Sequence, residues 1–208
     1  MVDLAVLPGF LVAVVLVTLA PGPDNTYVAG VALARGPRAG VLSAAGMSLG
    51  MVVHVAAAAL GLAVLLRSTP WVLTAVQLAG AAYLAWLALT TLRAARHATP
   101  IGAAPPDRQV LKRAVLTNLT NPKVIVFFAA FLPQFTRHGH GPLAVQLLIL
   151  GSLFLLIGLI CDSAIGLTVG RLGRSLAPGG RGTTALTVVA GLTFATLALV
   201  LLAEVLLR

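Results

Sequence analysis

Ala20-Pro21-Gly22-Pro23-Asp24-Asn25 and Thr120-Asn121-Pro122-Lys123 each interrupt a long apolar run, and how they are read decides the fold. Pro21, Pro23 and Pro122 lack the backbone N–H that a helix needs, so each run is expected to kink or break there. Gly22 is expected to let the broken segment turn freely. Asp24 and Lys123 then place an acid at one break and a base at the other. In hydrocarbon, freed backbone groups and charges are tolerated only where protein or a water-filled cavity surrounds them. A charge inside a spanning segment therefore marks a functional site by default. The plainer alternative is two proline kinks joined by a structural ion pair.

The surrounding composition agrees with a membrane setting. Of 208 residues, 59% are hydrophobic and only 9% charged, against about 25% charged in a typical soluble domain. The expected class is an all-α polytopic membrane protein. The net charge of +9 is then read as basic cytoplasmic loops and not as nucleic-acid binding. A single cysteine, Cys161, allows no intramolecular disulfide. No Lys or Arg precedes Arg35, so the first apolar run lacks the positive start of a signal peptide and is expected to remain as a span.

Six apolar segments follow, each near or above the ~20 residues needed to cross ~30 Å. They run from about Leu4 to Ala34, Gly40 to Leu66, Trp71 to Leu92, Ala114 to Phe135, Leu143 to Gly170, and Thr183 to Leu207. The stretch 97–113, with Pro100, Gly102, Pro105 and Pro106, reads as a linker between two halves, 1–96 and 114–208, of a single transporter domain. Asn118-Leu119-Thr120 has the form of a glycosylation site but lies within a predicted span. The loops after segments one, three and five carry ten Lys and Arg residues, and the opposite side carries Arg67, Arg137 and Arg208. That asymmetry places the three basic loops in the cytoplasm and both termini outside.

Three spans per half, with Pro21 matched by Pro122, suggest two inverted repeats. Inverted repeats with broken helices at their interface are a transporter design, with the substrate near the midplane. Gly46, Gly50, His54 and Ala58 form one small-residue face, and Gly158, Asp162, Gly166 and Gly170 form another; residues four apart let helices approach closely. His54 and Asp162 sit in those stripes and are expected to point into the bundle. Tyr83 and Trp86 read as packing or interface anchors, and Phe127, Phe128 and Phe131 as packing.

Pro21-Gly22-Pro23-Asp24-Asn25, Asn121-Pro122-Lys123 and Gly80-Ala81-Ala82-Tyr83-Leu84 resemble the LysE/RhtB amino-acid exporter family, over essentially the whole chain. The resemblance implies efflux of amino acids or close relatives, of the lysine, threonine, homoserine or homoserine lactone kind, driven by the proton motive force across the bacterial inner membrane. Family members often carry Thr before the first motif; here Ala20 stands there, which leaves substrate choice open.

The residues themselves suit that chemistry. An amino-acid zwitterion offers one carboxylate and one ammonium. Half-helix N-termini exposed by the proline breaks carry partial positive charge and free N–H groups for the carboxylate. Asp24 is a candidate acceptor for the ammonium. Lys123 would pair with Asp24 in the empty site or help hold the carboxylate. Asp162 and His54 are candidates for proton coupling, a carboxyl and an imidazole being groups that exchange protons. The candidate site thus comprises Pro21, Gly22, Pro23, Asp24, Asn25, Asn121, Pro122, Lys123, Asp162 and His54, with an amino acid, protons and the lipid bilayer as partners and a homodimer as a further option.

Other functions fit less well. An intramembrane enzyme would need a catalytic constellation, and the chain has no His-Glu-x-x-His sequence; no catalytic residue, cofactor or metal is expected. A thiol–disulfide carrier needs two cysteines. A metal-ion exporter would want clustered ligands, whereas His54, Asp24 and Asp162 are far apart in sequence. A non-transporting membrane subunit would leave the charged breaks without a purpose.

Overall fold

The computed structural model describes residues 2–62, 70–94, 107–172 and 181–206. Among them the chain forms eight α-helices and no strand: α1 Leu7–Leu19, α2 Pro23–Arg35, α3 Pro37–Ala57, α4 Pro70–Ala94, α5 Asp107–Leu119, α6 Pro122–Val126, α7 Leu143–Leu172 and α8 Arg181–Leu206. The prolines set the breaks. A residue before proline is pushed out of helical geometry, and Ala20 (ψ 123°), Gly22 and Asn121 (ψ 108°) are all extended. Helices α1 and α2 meet at a 53° bend, and α5 and α6 at 43°. Each bent pair is together long and apolar enough to cross a membrane, as α3 and α7 are alone. Helices α4 and α8 add apolar stretches at Thr74–Thr90 and Gly191–Ala203.

Each expected segment therefore has a helical counterpart. One boundary moved. Helix α5 opens at Asp107, inside the stretch read as linker, just after Pro106. Positions 97–106 of that linker, together with Arg67, Arg174 and Arg208, lie outside the described residues.

Two irregular turns extend the helices. Helix α3 runs into a π-helical turn at Ala58–Leu62. Helix α6 runs into another at Phe127–Phe131, then a 3₁₀ turn at Leu132–Phe135. Single π turns cluster at functional sites because the wider coil frees backbone groups.

Packing pairs each span with its counterpart in the other half. The most extensive contacts are between α3 and α7 and between α4 and α8, while α1/α2 meets α5/α6 through the breaks. Glycines make the first contact close. A Cβ on Gly40 would stand 2.7 Å from the Gly166 Cα, and one on Gly170 would stand 2.5 Å from the Pro37 nitrogen. The Gly46–Gly50 stripe faces α5 instead, where Cβ atoms would meet Ala114 Cβ at 2.6 Å and Asn118 Oδ1 at 2.9 Å. The tight turn between α2 and α3 needs Gly36, whose φ is +86°.

The apolar core centres on α1, α4, the Phe127–Leu132 turns, α7 and α8. Phe127, Phe128 and Phe131 are all buried there, as the packing reading required. Their rings continue to Phe154, Phe135 and Phe10 at centroid distances of 4.7–5.5 Å. Tyr83 is half-buried with its ring against the exposed Trp86.

Candidate functional site at two helix breaks

The two breaks meet inside the bundle. Lys123 Nζ lies 2.9 Å from Asp24 Oδ2 and donates to Oδ1 at 3.0 Å. It also donates to the Ala20 carbonyl at 3.0 Å. Lys123 and Asp24 are 2% and 6% exposed, so neither charge reaches solvent. The lysine thus closes the open C-terminal end of α1 and neutralises the acid that opens α2.

Asn25 completes the repair of α1. Its Nδ2 approaches the Thr18, Leu19 and Ala20 carbonyls at 3.0, 3.3 and 3.2 Å. These are carbonyls that a helix end leaves without an intrahelical donor. The starts of the second half-helices are closed too. Asp24 Oδ1 accepts from the Asn25 N–H at 3.0 Å, and Asn121 caps α6 by accepting from the Lys123 N–H at 3.1 Å. The expectation of free N–H groups waiting at these N-termini is therefore met differently: side chains of the motifs themselves occupy the first-turn donors at Asn25 and Lys123.

Gly22 also serves another purpose than the one expected. Its φ of −159° is extended backbone open to any residue. Its need is for space: a Cβ there would lie 2.8 Å from Asp24 Oδ1 and 3.2 Å from Lys123 Nζ.

His54 and Asp162 both face inward. His54 Nε2 lies 3.2 Å from the Asn118 carbonyl, the turn that leads into the second break, and its ring lies 5.8 Å from that of Phe128. Asp162 is buried on α7, close enough to Asp24 and Lys123 for their charges to interact. Its Oδ1 makes no hydrogen bond. Thr18 Oγ1, Asn25 Oδ1, Asn118 Oδ1 and Asn121 Nδ2 are buried and unpartnered as well. Native interiors leave few such atoms, yet here they gather where the two breaks cross. Beside them, Val17, Leu84, Lys123, Phe127, Phe131 and Leu197 line a small apolar recess. No group of three metal-ligating side chains occurs among the described residues.

Sequence reading missed two contributors and one further buried amide. Asn118 drew attention only as part of an apparent glycosylation site. Thr18 was passed over within an apolar run. Gln77 on α4 is fully buried with both amide atoms unpartnered; as a primary amide in an otherwise apolar segment, it carried a signal that could have been used.

Comparison with known proteins places these features in a family. No solved structure matches the chain. A leucine efflux protein of Klebsiella pneumoniae is 37% identical over 129 residues, 61% of each chain, so this alignment spans less than two thirds of that relative. A homoserine/homoserine lactone efflux protein of Salmonella typhimurium is 33% identical over 73% of this chain and 74% of its own. An uncharacterized membrane protein of Pseudomonas aeruginosa is 34% identical over 78% of this chain and 79% of its own. The family model described as LysE type translocator matches residues 15–205. With both charged breaks inside that range, the chain belongs to the LysE type translocator family.

Proposed function

We propose that this chain is a secondary carrier that exports amino acids or close derivatives across the bacterial inner membrane, coupled to protons, with both termini outside. The observation that carries the reading is the Asp24–Lys123 pair, buried where two proline-broken helices meet. A buried ion pair is a poor way to gain stability, because desolvation offsets much of the attraction. It is a good way to hold a lysine ready for a substrate carboxylate at membrane depth. The relatives named for efflux of leucine and of homoserine or its lactone support the substrate class. Asn121 Nδ2, an unpartnered donor two residues from Lys123, is the group we assign to the substrate carboxylate. Asp162 and His54 are the side chains we assign to proton exchange or substrate contact.

Counterflow in proteoliposomes tests the proposal. Vesicles loaded with one unlabelled amino acid at a time should accumulate the same labelled amino acid when it is a substrate. Leucine is expected to do so with the wild type and not with Asp24→Asn. No counterflow for any proteinogenic amino acid or homoserine lactone would overturn the reading. Normal counterflow in Asp24→Asn would reduce the ion pair to a structural joint.

A further inference from the structure

We propose that the buried face of α7 between Gly158 and Asp162 is the subsite for the substrate ammonium, with Asp162, not Asp24, as its acceptor. The proposal rests on the amino-acid export reading above. Its first support is that Asp24 is already engaged. Both its oxygens contact Lys123 Nζ, and Oδ1 also accepts from the Asn25 N–H. A substrate ammonium placed there would have to expel Lys123 and leave that charge buried without a partner, which is strongly unfavourable. Asp162 has no such occupant. It is 6% exposed and its Oδ1 has no hydrogen-bond partner. An unmade bond at a buried acceptor is a standing cost that a ligand donor can remove.

The second support is space. Gly158 lies one turn before Asp162, on the same face of α7. It is buried, yet a Cβ built on it meets no heavy atom within 4 Å. The glycines on either side are closed. A Cβ on Gly151 would touch Val55 at 3.1 Å and Phe128 at 3.4 Å, and one on Gly166 would lie 2.7 Å from the Gly40 carbonyl carbon. Helix α7 is therefore in tight contact above and below an open spot at Gly158, one turn before a buried carboxylate with an unpartnered oxygen. Lys123, on α6, is close enough to Asp162 for their charges to interact. A free acceptor on α7 and a cation on α6 would orient a zwitterion, ammonium toward α7 and carboxylate toward α6. The class of ligand is an α-amino acid with a free amino group. A carboxylic acid lacking that group should not be held.

The test uses the full chain in proteoliposomes with L-leucine as substrate and 4-methylpentanoate, the same skeleton without the ammonium, as competitor. Wild type is expected to exchange leucine and to be little inhibited by 4-methylpentanoate. In Asp162→Asn, the KM for leucine should rise at least about tenfold, the loss expected for one hydrogen bond to a charged group. The competitor should then inhibit as well as leucine does. Gly158→Val, which fills the gap without touching the carboxyl group, should raise the leucine KM while monodispersity and membrane yield stay at wild-type level. An unchanged leucine KM in both variants, or retained discrimination against 4-methylpentanoate in Asp162→Asn, would overturn the subsite while leaving export intact. A gap that only houses a water would produce that result. Absence of exchange in the wild type would instead overturn the export reading itself, and the subsite with it.

Discussion

The ammonium of Lys123 touches both carboxylate oxygens of Asp24, at 2.9 and 3.0 Å, although 98 residues separate them in the chain. Removing either partner leaves the other charged and buried, at a cost of about 3–5 kcal/mol. Asp24→Asn and Lys123→Gln are each expected to lower thermal stability and abolish efflux. The double variant should recover much of the stability, since no buried charge remains, but none of the efflux. A stability loss in the double equal to the sum of the two singles would contradict a direct interaction.

Gly22→Ala tests the crowding around that pair. The added Cβ would lie 2.8 Å from Asp24 Oδ1, so the carboxylate must move away from Lys123. Forced repacking of this kind costs about 1–3 kcal/mol. Transport is expected to fall with it, although the backbone at Gly22 is open to alanine. Wild-type melting and wild-type efflux in Gly22→Ala would show that the pair has slack.

Asn25 separates two explanations of its place in the motif. Its Nδ2 serves three carbonyls at the end of α1. Asn25→Ala should destabilise the protein by about 1–3 kcal/mol, the cost of leaving buried acceptors unpaired. Asn25→Asp should be worse, because it points a carboxylate at the same three carbonyl oxygens. Melting temperatures in the order wild type, Ala, Asp are the expected result. An aspartate variant as stable as wild type would show that the donor is dispensable.

Much of this was legible in the sequence. Proline dictates where a helix cannot continue, so the breaks at Pro21 and Pro122 could be placed before any coordinates. Two opposite charges in separate apolar spans have little choice but to meet, so the Asp24–Lys123 pair was equally accessible. The start of α5 was not. Asp107, Arg108, Lys112 and Arg113 look like a linker when only apolar runs are counted, whereas Pro105-Pro106 followed by an acid also reads as a helix opening. The reason for Gly22 was misread because its crowding comes from Lys123, a residue of the other half. The gap at Gly158 was invisible for the same reason: a stripe of glycines looks uniform until the helices facing it are known.

Gln77 offers a prediction of the opposite sign. A buried amide with neither atom paired costs stability that a leucine of similar size would not. Gln77→Leu is expected to raise the melting temperature. If efflux falls at the same time, the amide serves a passing substrate and its cost is functional. A lower melting temperature would mean that Gln77 has a partner in the membrane-embedded protein.

The glycine contacts between α3 and α7 have a mechanical consequence. Backbones in direct contact at Gly40 and Gly166, and again at Pro37 and Gly170, leave no side chains to slide over one another. Helix α5, seated on Gly46 and Gly50, is held to the same plate. Helices α4 and α8 form a second plate, and among the described residues the two plates meet chiefly through α1, α6 and the Phe127–Phe131 turn. We propose that the proline breaks form the hinge between them. Gly80→Ala would crowd the contact between the second plate and that hinge, since the added Cβ would stand 2.9 Å from the Ala130 Cβ. Efflux should fall in Gly80→Ala; wild-type efflux in that variant would refute the hinge. On the reading proposed above, Lys123 would feel the substrate carboxylate and belongs to the joint itself, so occupancy would act on the hinge with no relay between them.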